Sequence, residues 1–222
     1  ECLPFQGDEI KNRFPHFGRV GLGRYHGIAL DDRSHENLSG EHCSIFYDTR
    51  NVRLQSAGTF WHSGTPDAVG SSTWGNNLPR ITTWGVFEFA GGVPFTVFNT
   101  HFHWDEPYVS NAARLIVTKL AELATGNRVL LVGDFNADPD SDLHEYLTTA
   151  AAGAPLLQDV WRLLAKDEKG AGTAHDFTGV PNNRIDWILA GDGFTPRSIA
   201  SYSGNQNGSF PSDHFPVFAD IE

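Results

Sequence analysis

The chain has 222 residues and 24.4 kDa, enough to bury a core without disulfide staples. Hydrophobic residues make up 40%, which excludes global disorder, and no apolar run reaches the ~18–20 residues that span a bilayer. Twelve Arg and four Lys stand against 27 acidic residues, a net charge of −11, and no two basic residues are adjacent, so no linear basic tract is present to follow a nucleic-acid backbone or an anionic membrane.

Gly and Pro are spread throughout as punctuation, without a repeat, a low-complexity tract or a linker, and a single domain is expected. In chain order, Gln6–Arg13 reads as a short helix stopped before Pro15. Cys43–Asp48 and Val52–Phe60 read as strands separated by a turn at Thr49–Asn51. Ile81–Phe89 alternates apolar and polar residues and is rich in aromatic and β-branched types, which predicts a strand. Val93–His101 follows it across Gly91-Gly92, which predicts a hairpin. Asn111–Thr125 carries apolar residues at helical spacing, with Ser110 or Asn111 able to cap it and Gly126 able to stop it. Arg128–Val132 is a short apolar run of the kind a buried strand shows. Leu143–Ala151 and Leu156–Ala165 read as helices; Arg184–Ala190, Arg197–Tyr202 and His214–Ile221 read as strands. Strands outnumber helices, and the helices fall between groups of strands. This favours sheets packed face to face with helices outside over a doubly wound sheet.

Four polar clusters interrupt these apolar strands: Asn99-Thr100-His101, Gly133-Asp134-Phe135-Asn136, Asp186 within Arg184-Ile185-Asp186-Trp187, and Ser212-Asp213-His214. Each has an ordinary structural explanation. Asp134-Phe135-Asn136 suits a turn, Asp186 could pair with Arg184, Asp213 could cap the entry to the last strand, and His101 with His103 could be structural. Together they argue otherwise, because a carboxylate after a buried strand needs a metal, a cation or donors, and convergence of such groups is how active sites are built.

In order and spacing the four clusters resemble those of the endonuclease/exonuclease/phosphatase superfamily, the DNase I-like metal-dependent phosphoesterases, over the whole chain. The resemblance implies an α/β (α+β) four-layer sandwich of two packed mixed β-sheets with helices outside. It implies that the chain begins after the family's first strand, with Glu1 as the principal Mg²⁺ ligand and Asp213 as a second acidic metal residue. His214 would act as base or contact the phosphate, oriented by Asp186. Asp134 would position or deprotonate the attacking water, Asn136 would donate to phosphoryl oxygens, and His101 would do the same or protonate the leaving oxygen. Within the family, Gly40–Asp48, Thr59–Trp61 and Pro79–Trp84 resemble a bacterial branch of hydrolases akin to the deadenylases. From that likeness come Arg80 as a phosphate clamp or a structural ion pair, Glu41 facing the pocket, and His175 of Thr173-Ala174-His175 contacting substrate. His103 beside His101 leaves room for a softer metal, Mn²⁺ or Zn²⁺. The expected activity is hydrolysis of a small phosphorylated molecule, a sugar phosphate or nucleotide, with nuclease action on RNA or DNA and a non-catalytic binding protein as the alternatives. A cytoplasmic enzyme with Mg²⁺ as cofactor is expected, with Mn²⁺ as the substitute and no membrane insertion.

Overall fold

The computed structural model describes residues 2–26, 39–124, 126–149, 153–164 and 172–222. Helix α1 (Pro4–Arg13) opens the chain, with Pro4 at its first position, where no backbone donor is missed. Strand β1 (Phe17–Val20) pairs antiparallel with β2 (Ile45–Asp48). Next come β3 (Val52–Trp61), β4 (Ile81–Phe89) and β5 (Phe95–His101), an antiparallel meander. Helix α2 (Tyr108–Leu123) carries the chain from β5 to β6 (Arg128–Asp134), which runs parallel to β5. After α3 (Asp142–Thr148), the short β7 (Leu157–Asp159) leads directly into α4 (Val160–Leu164). Strand β8 (Asp186–Gly191) inserts antiparallel between β6 and β7, and β9 (Pro196–Ser201) pairs with β10 (Val217–Ile221).

The large sheet has the order β3-β4-β5-β6-β8-β7 and is mixed, since β5 and β6 are its parallel pair. Among the described residues the smaller β layer consists of two antiparallel ladders, β1–β2 against β4 and β9–β10 beside β8. One face of the large sheet carries Phe60, Phe98, Val129, Leu131 and Leu189, which bury Ile116 and Leu120 of α2 and Leu143 and Leu147 of α3. On the opposite face of β5, Asn99 donates from Nδ2 to the Ser44 carbonyl at 3.0 Å and so ties β5 to the segment entering β2. No helix among the described residues is long and apolar enough to cross a membrane.

Several boundaries differ from the sequence expectation for identifiable reasons. Helix α2 begins three residues before Asn111, because the Glu106 carboxylate accepts from the backbone N–H and hydroxyl of Ser110 and does the capping itself. The stretch Leu156–Ala165, read as one helix, is instead strand then helix. Leu157–Asp159 pairs with the edge of β8, and Asp159 Oδ1 accepts from Trp161 N–H at 2.9 Å, which starts α4 there. Strand β1 was not anticipated: it has four residues between Pro15 and Gly21, and its partner β2 lies nearly 30 residues on. Thr125, Ala150, Ala151 and Ala165, where three of the anticipated helices end, lie outside the described residues.

Candidate active site

The parallel β5–β6 pair brings the ends of two strands to one edge of the sheet, with His101 opposite Asp134. Because β8 is antiparallel to β6, its first residue falls at the same edge, and Asp134 stands opposite Asp186. Three polar residues far apart in sequence are thus in one row across three adjacent strands. Gly133 permits the close approach: its φ is +139°, and a Cβ there would lie 1.9 Å from the Thr100 carbonyl oxygen.

Beyond this edge lies an open cleft of about 580 Å³. Its lining includes His101, Asp134, Asp186, Asp213 and His214, with the aromatic rings of Tyr202 and Phe210. His214 is carried by the loop before β10, and its Nδ1 is 2.8 Å from Asp186 Oδ2. That hydrogen bond raises the imidazole to about 9 against the opposing effect of burial, and the charges of Asp186, Asp134 and Asp213 add to the rise. The alternative pairing of Asp186 with Arg184 is not formed. Arg184 instead reaches Asp159, with Nη2 2.8 Å from Oδ2, and His144 Nε2 lies 2.9 Å from the same oxygen.

The turn after β6 is shaped by its own carboxylate. Asp134 Oδ1 accepts from Asn136 N–H at 2.7 Å, and Asn136 adopts a left-handed φ of +49°, a conformation Asn tolerates. Asn136 Nδ2 donates to the Phe102 carbonyl at 3.0 Å, so one of its amide hydrogens is held by the backbone. Asn136 is half-buried beneath the cleft rather than in its lining.

The remaining anticipated residues take varied positions. His101 is buried, with Nε2 3.2 Å from Asp134 Oδ2 and Nδ1 2.7 Å from Arg80 Nη1. Arg80 lies behind His101, its guanidinium covered by the Trp104 ring at 5.3 Å. Glu41 Oε2 is 2.5 Å from Arg24 Nη1, 4.0 Å from Arg80 and 3.9 Å from His101 Nδ1. His175 has no exposed surface: its ring is stacked on Phe215 at 4.0 Å, edge-on to Phe210 at 4.8 Å, and Nδ1 accepts from Gly179 N–H. His103 does not continue the strand face of His101, because β5 ends at His101. Its Nδ1 accepts from Asp105 N–H and its ring stacks on Trp104. Glu1 lies outside the described residues. Asp213 is exposed at the lip of the cleft, and among the described residues no three His, Cys, Asp or Glu side chains are grouped to hold a metal ion.

Two supporting residues were not singled out from sequence. Thr173 is buried, its Oγ1 accepts from the N–H groups of Ile185 and Asp186, and its carbonyl accepts from Phe215 N–H. It therefore stitches the start of β8 to the His214 loop, and His175 N–H adds a bond to the Asp213 carbonyl. His62 is fully buried, with Nε2 2.8 Å from Thr82 Oγ1, which in turn is 2.8 Å from Thr100 Oγ1. Neither interrupts an apolar strand with a charge, so neither carries a signal in the sequence alone.

The family model for the endonuclease/exonuclease/phosphatase family matches residues 14–214. The chain belongs to this family. It is accordingly a hydrolase of phosphoester bonds. Among solved structures it is similar to the endonuclease/exonuclease/phosphatase from Bacteroides vulgatus, at 28% identity and a TM-score of 0.84, covering 100% of this chain and 82% of the other. It is also similar to a mannosyl-6-phosphatase of Bacteroides thetaiotaomicron, at 29% identity and a TM-score of 0.81, covering 100% and 83%. D. rerio TDP2 complexed with single strand DNA product shares the fold at 17% identity and a TM-score of 0.69, covering 100% and 83%. No curated protein matches the chain by sequence.

Proposed function

We propose that this family member hydrolyses the phosphate ester of a small molecule, a sugar phosphate or nucleotide, by in-line attack of water on phosphorus. The observation that carries the reading is the row His101–Asp134–Asp186 at one sheet edge, with His214 hydrogen-bonded to Asp186 across the cleft. Asp134 orients and deprotonates the attacking water, since its carboxylate is fixed by Asn136 N–H at the strand end. His214, held through Nδ1, leaves Nε2 to meet a phosphoryl oxygen. His101 and the second Nδ2 hydrogen of Asn136 donate to the charge that builds up at phosphorus.

Asp134, Asp186 and Asp213 make the cleft acidic, and a phosphate group would be repelled by it unless a cation lay between. Their hard oxygens suit Mg²⁺ or Mn²⁺, with Asp213 and Glu1 as the residues to hold it; when bound, the ion neutralises the phosphate and polarises the phosphoryl oxygen. The mannosyl-6-phosphatase likeness and the net charge of −11 favour a small substrate. The polynucleotide alternative is supported by the fold shared with a DNA-binding neighbour and by Tyr202 and Phe210, which could stack bases. A panel of sugar phosphates and nucleotides, run beside labelled single-stranded RNA and DNA with Mg²⁺ or Mn²⁺, separates the two. Turnover of sugar phosphates supports the first reading, and turnover confined to the polynucleotides supports the second.

A further inference from the structure

Arg80 is 4% exposed and is not in the lining of the cleft, so its fork does not face a bound phosphate directly. Its Nη1 instead lies 2.7 Å from His101 Nδ1. A guanidinium carries donors alone and stays charged in proteins. Two N–H groups cannot face each other at that separation, so His101 Nδ1 must present its lone pair. The ring proton then sits on Nε2, the nitrogen beside Asp134. Trp104 covers the guanidinium on one side, and Glu41, itself gripped by Arg24, lies near Nη1. The arginine is therefore braced in the orientation that aims it at the histidine.

We propose that Arg80 is a positioning residue that locks His101 in the Nε2–H tautomer, so that His101 serves the site as a neutral hydrogen-bond donor and takes no part in proton transfer. Protonation at Nδ1 would set an N–H against a permanent cation. Loss of the Nε2 proton to a leaving oxygen would leave an imidazolate. Of the two roles open to His101 from sequence, donation to a phosphoryl oxygen survives, and the proton for the leaving oxygen comes from another group or from water. The kinetic consequence rests on the phosphoesterase reading, whereas the tautomer is measurable without any substrate.

The test is the ¹⁵N spectrum of the histidine rings in the full chain at neutral pH, with the His101 signals identified by their loss in His101→Gln. The expected result is an unprotonated, acceptor-type Nδ1 and a protonated Nε2. Arg80→Lys keeps a donor and should keep that tautomer. Arg80→Met removes the donor and should give mixed tautomers, with kcat lower by roughly 10–100-fold and KM changed by less than about 3-fold. A proton on Nδ1 in the wild type would overturn the proposal. So would an Arg80→Met protein that keeps the wild-type tautomer while KM rises, which is the signature of a direct phosphate clamp. Should Arg80→Met fail to fold, the wild-type and Arg80→Lys spectra decide. Should no phosphoester be hydrolysed, the function proposed above fails while the tautomer assignment is judged by its own spectrum.

Discussion

Of the histidines lining the cleft, His101 and His214 have Nδ1 atoms that meet opposite charges. His214 meets the Asp186 carboxylate at 2.8 Å and His101 meets the Arg80 guanidinium at 2.7 Å. One side-chain type is thereby set to two tasks by its neighbours, without any difference that the residue itself encodes. The Asp186 link leads to a mutational expectation. Asp186→Asn keeps the shape but can present its amide to the ring and leave the wrong tautomer, so turnover should fall roughly 10²–10⁴-fold with a small change in melting temperature. His214→Ala should add little to that loss, because residues acting as a unit are non-additive. Turnover and melting of the two single variants and the double measure this, and independent, multiplying losses of rate would remove Asp186 from the machinery.

At the level of strands, the site exists because of register. His101 and Asp134 meet only if β5 and β6 approach closely at Gly133, where φ is +139° and a Cβ would strike the Thr100 carbonyl. Gly133→Ala should cost about 2–3 kcal/mol or more, and it should lower activity in the protein that still folds, since the strain falls between the two positions proposed to serve catalysis. Thermal melts and turnover on the same preparation check both effects. A second element-level expectation concerns the buried His144–Asp159–Arg184 cluster, which fixes the start of α4 and the approach to β8. Asp159→Ala strands a buried guanidinium and should destabilise by about 3–5 kcal/mol, measured by denaturant unfolding.

Legibility in the sequence followed the same physics. Strand β4 was readable to its ends and the body of α2 was clear, because alternation and helical spacing are local signals. The four polar clusters stood out because charged or amide groups at the ends of apolar runs need a reason. What could not be read were partners at long range: β1 with β2, Arg184 with Asp159 rather than Asp186, and Arg80 with His101. Each depends on which strands become neighbours, a property of topology that no window of sequence contains. The start of α2 was missed for a smaller reason, since Glu106 caps from outside the usual Ser, Thr, Asp and Asn set.

On the scale of the whole molecule, buried His62 makes stability depend on pH. His62 is lowered from 6.5 to about 3, first by burial and then by the Arg80 charge. The unfolded chain takes up a proton below pH 6.5 that the native ring refuses until about pH 3, so stability falls as pH drops through that window. His62→Asn cannot titrate, and its stability should therefore vary less between pH 7 and pH 4 than that of the wild type; equal slopes in unfolding experiments would contradict this. The net charge of −11 governs the approach of substrate over longer distances. A small phosphate ester engaging one subsite should show modest salt dependence, whereas a polynucleotide held through several phosphates should lose affinity steeply between roughly 50 and 200 mM salt. The expectations about turnover rest on hydrolysis of a small phosphate ester in the His101–Asp134–Asp186–His214 cleft, the function proposed above. It is tested most directly by phosphate release from a sugar-phosphate panel in Mg²⁺ or Mn²⁺, comparing wild type with Asp134→Asn. The expected result is release by the wild type, nearly insensitive to salt and reduced at least about 100-fold in the variant. Cleavage restricted to RNA or DNA with a steep salt slope, or sugar-phosphate turnover that survives Asp134→Asn, would contradict it.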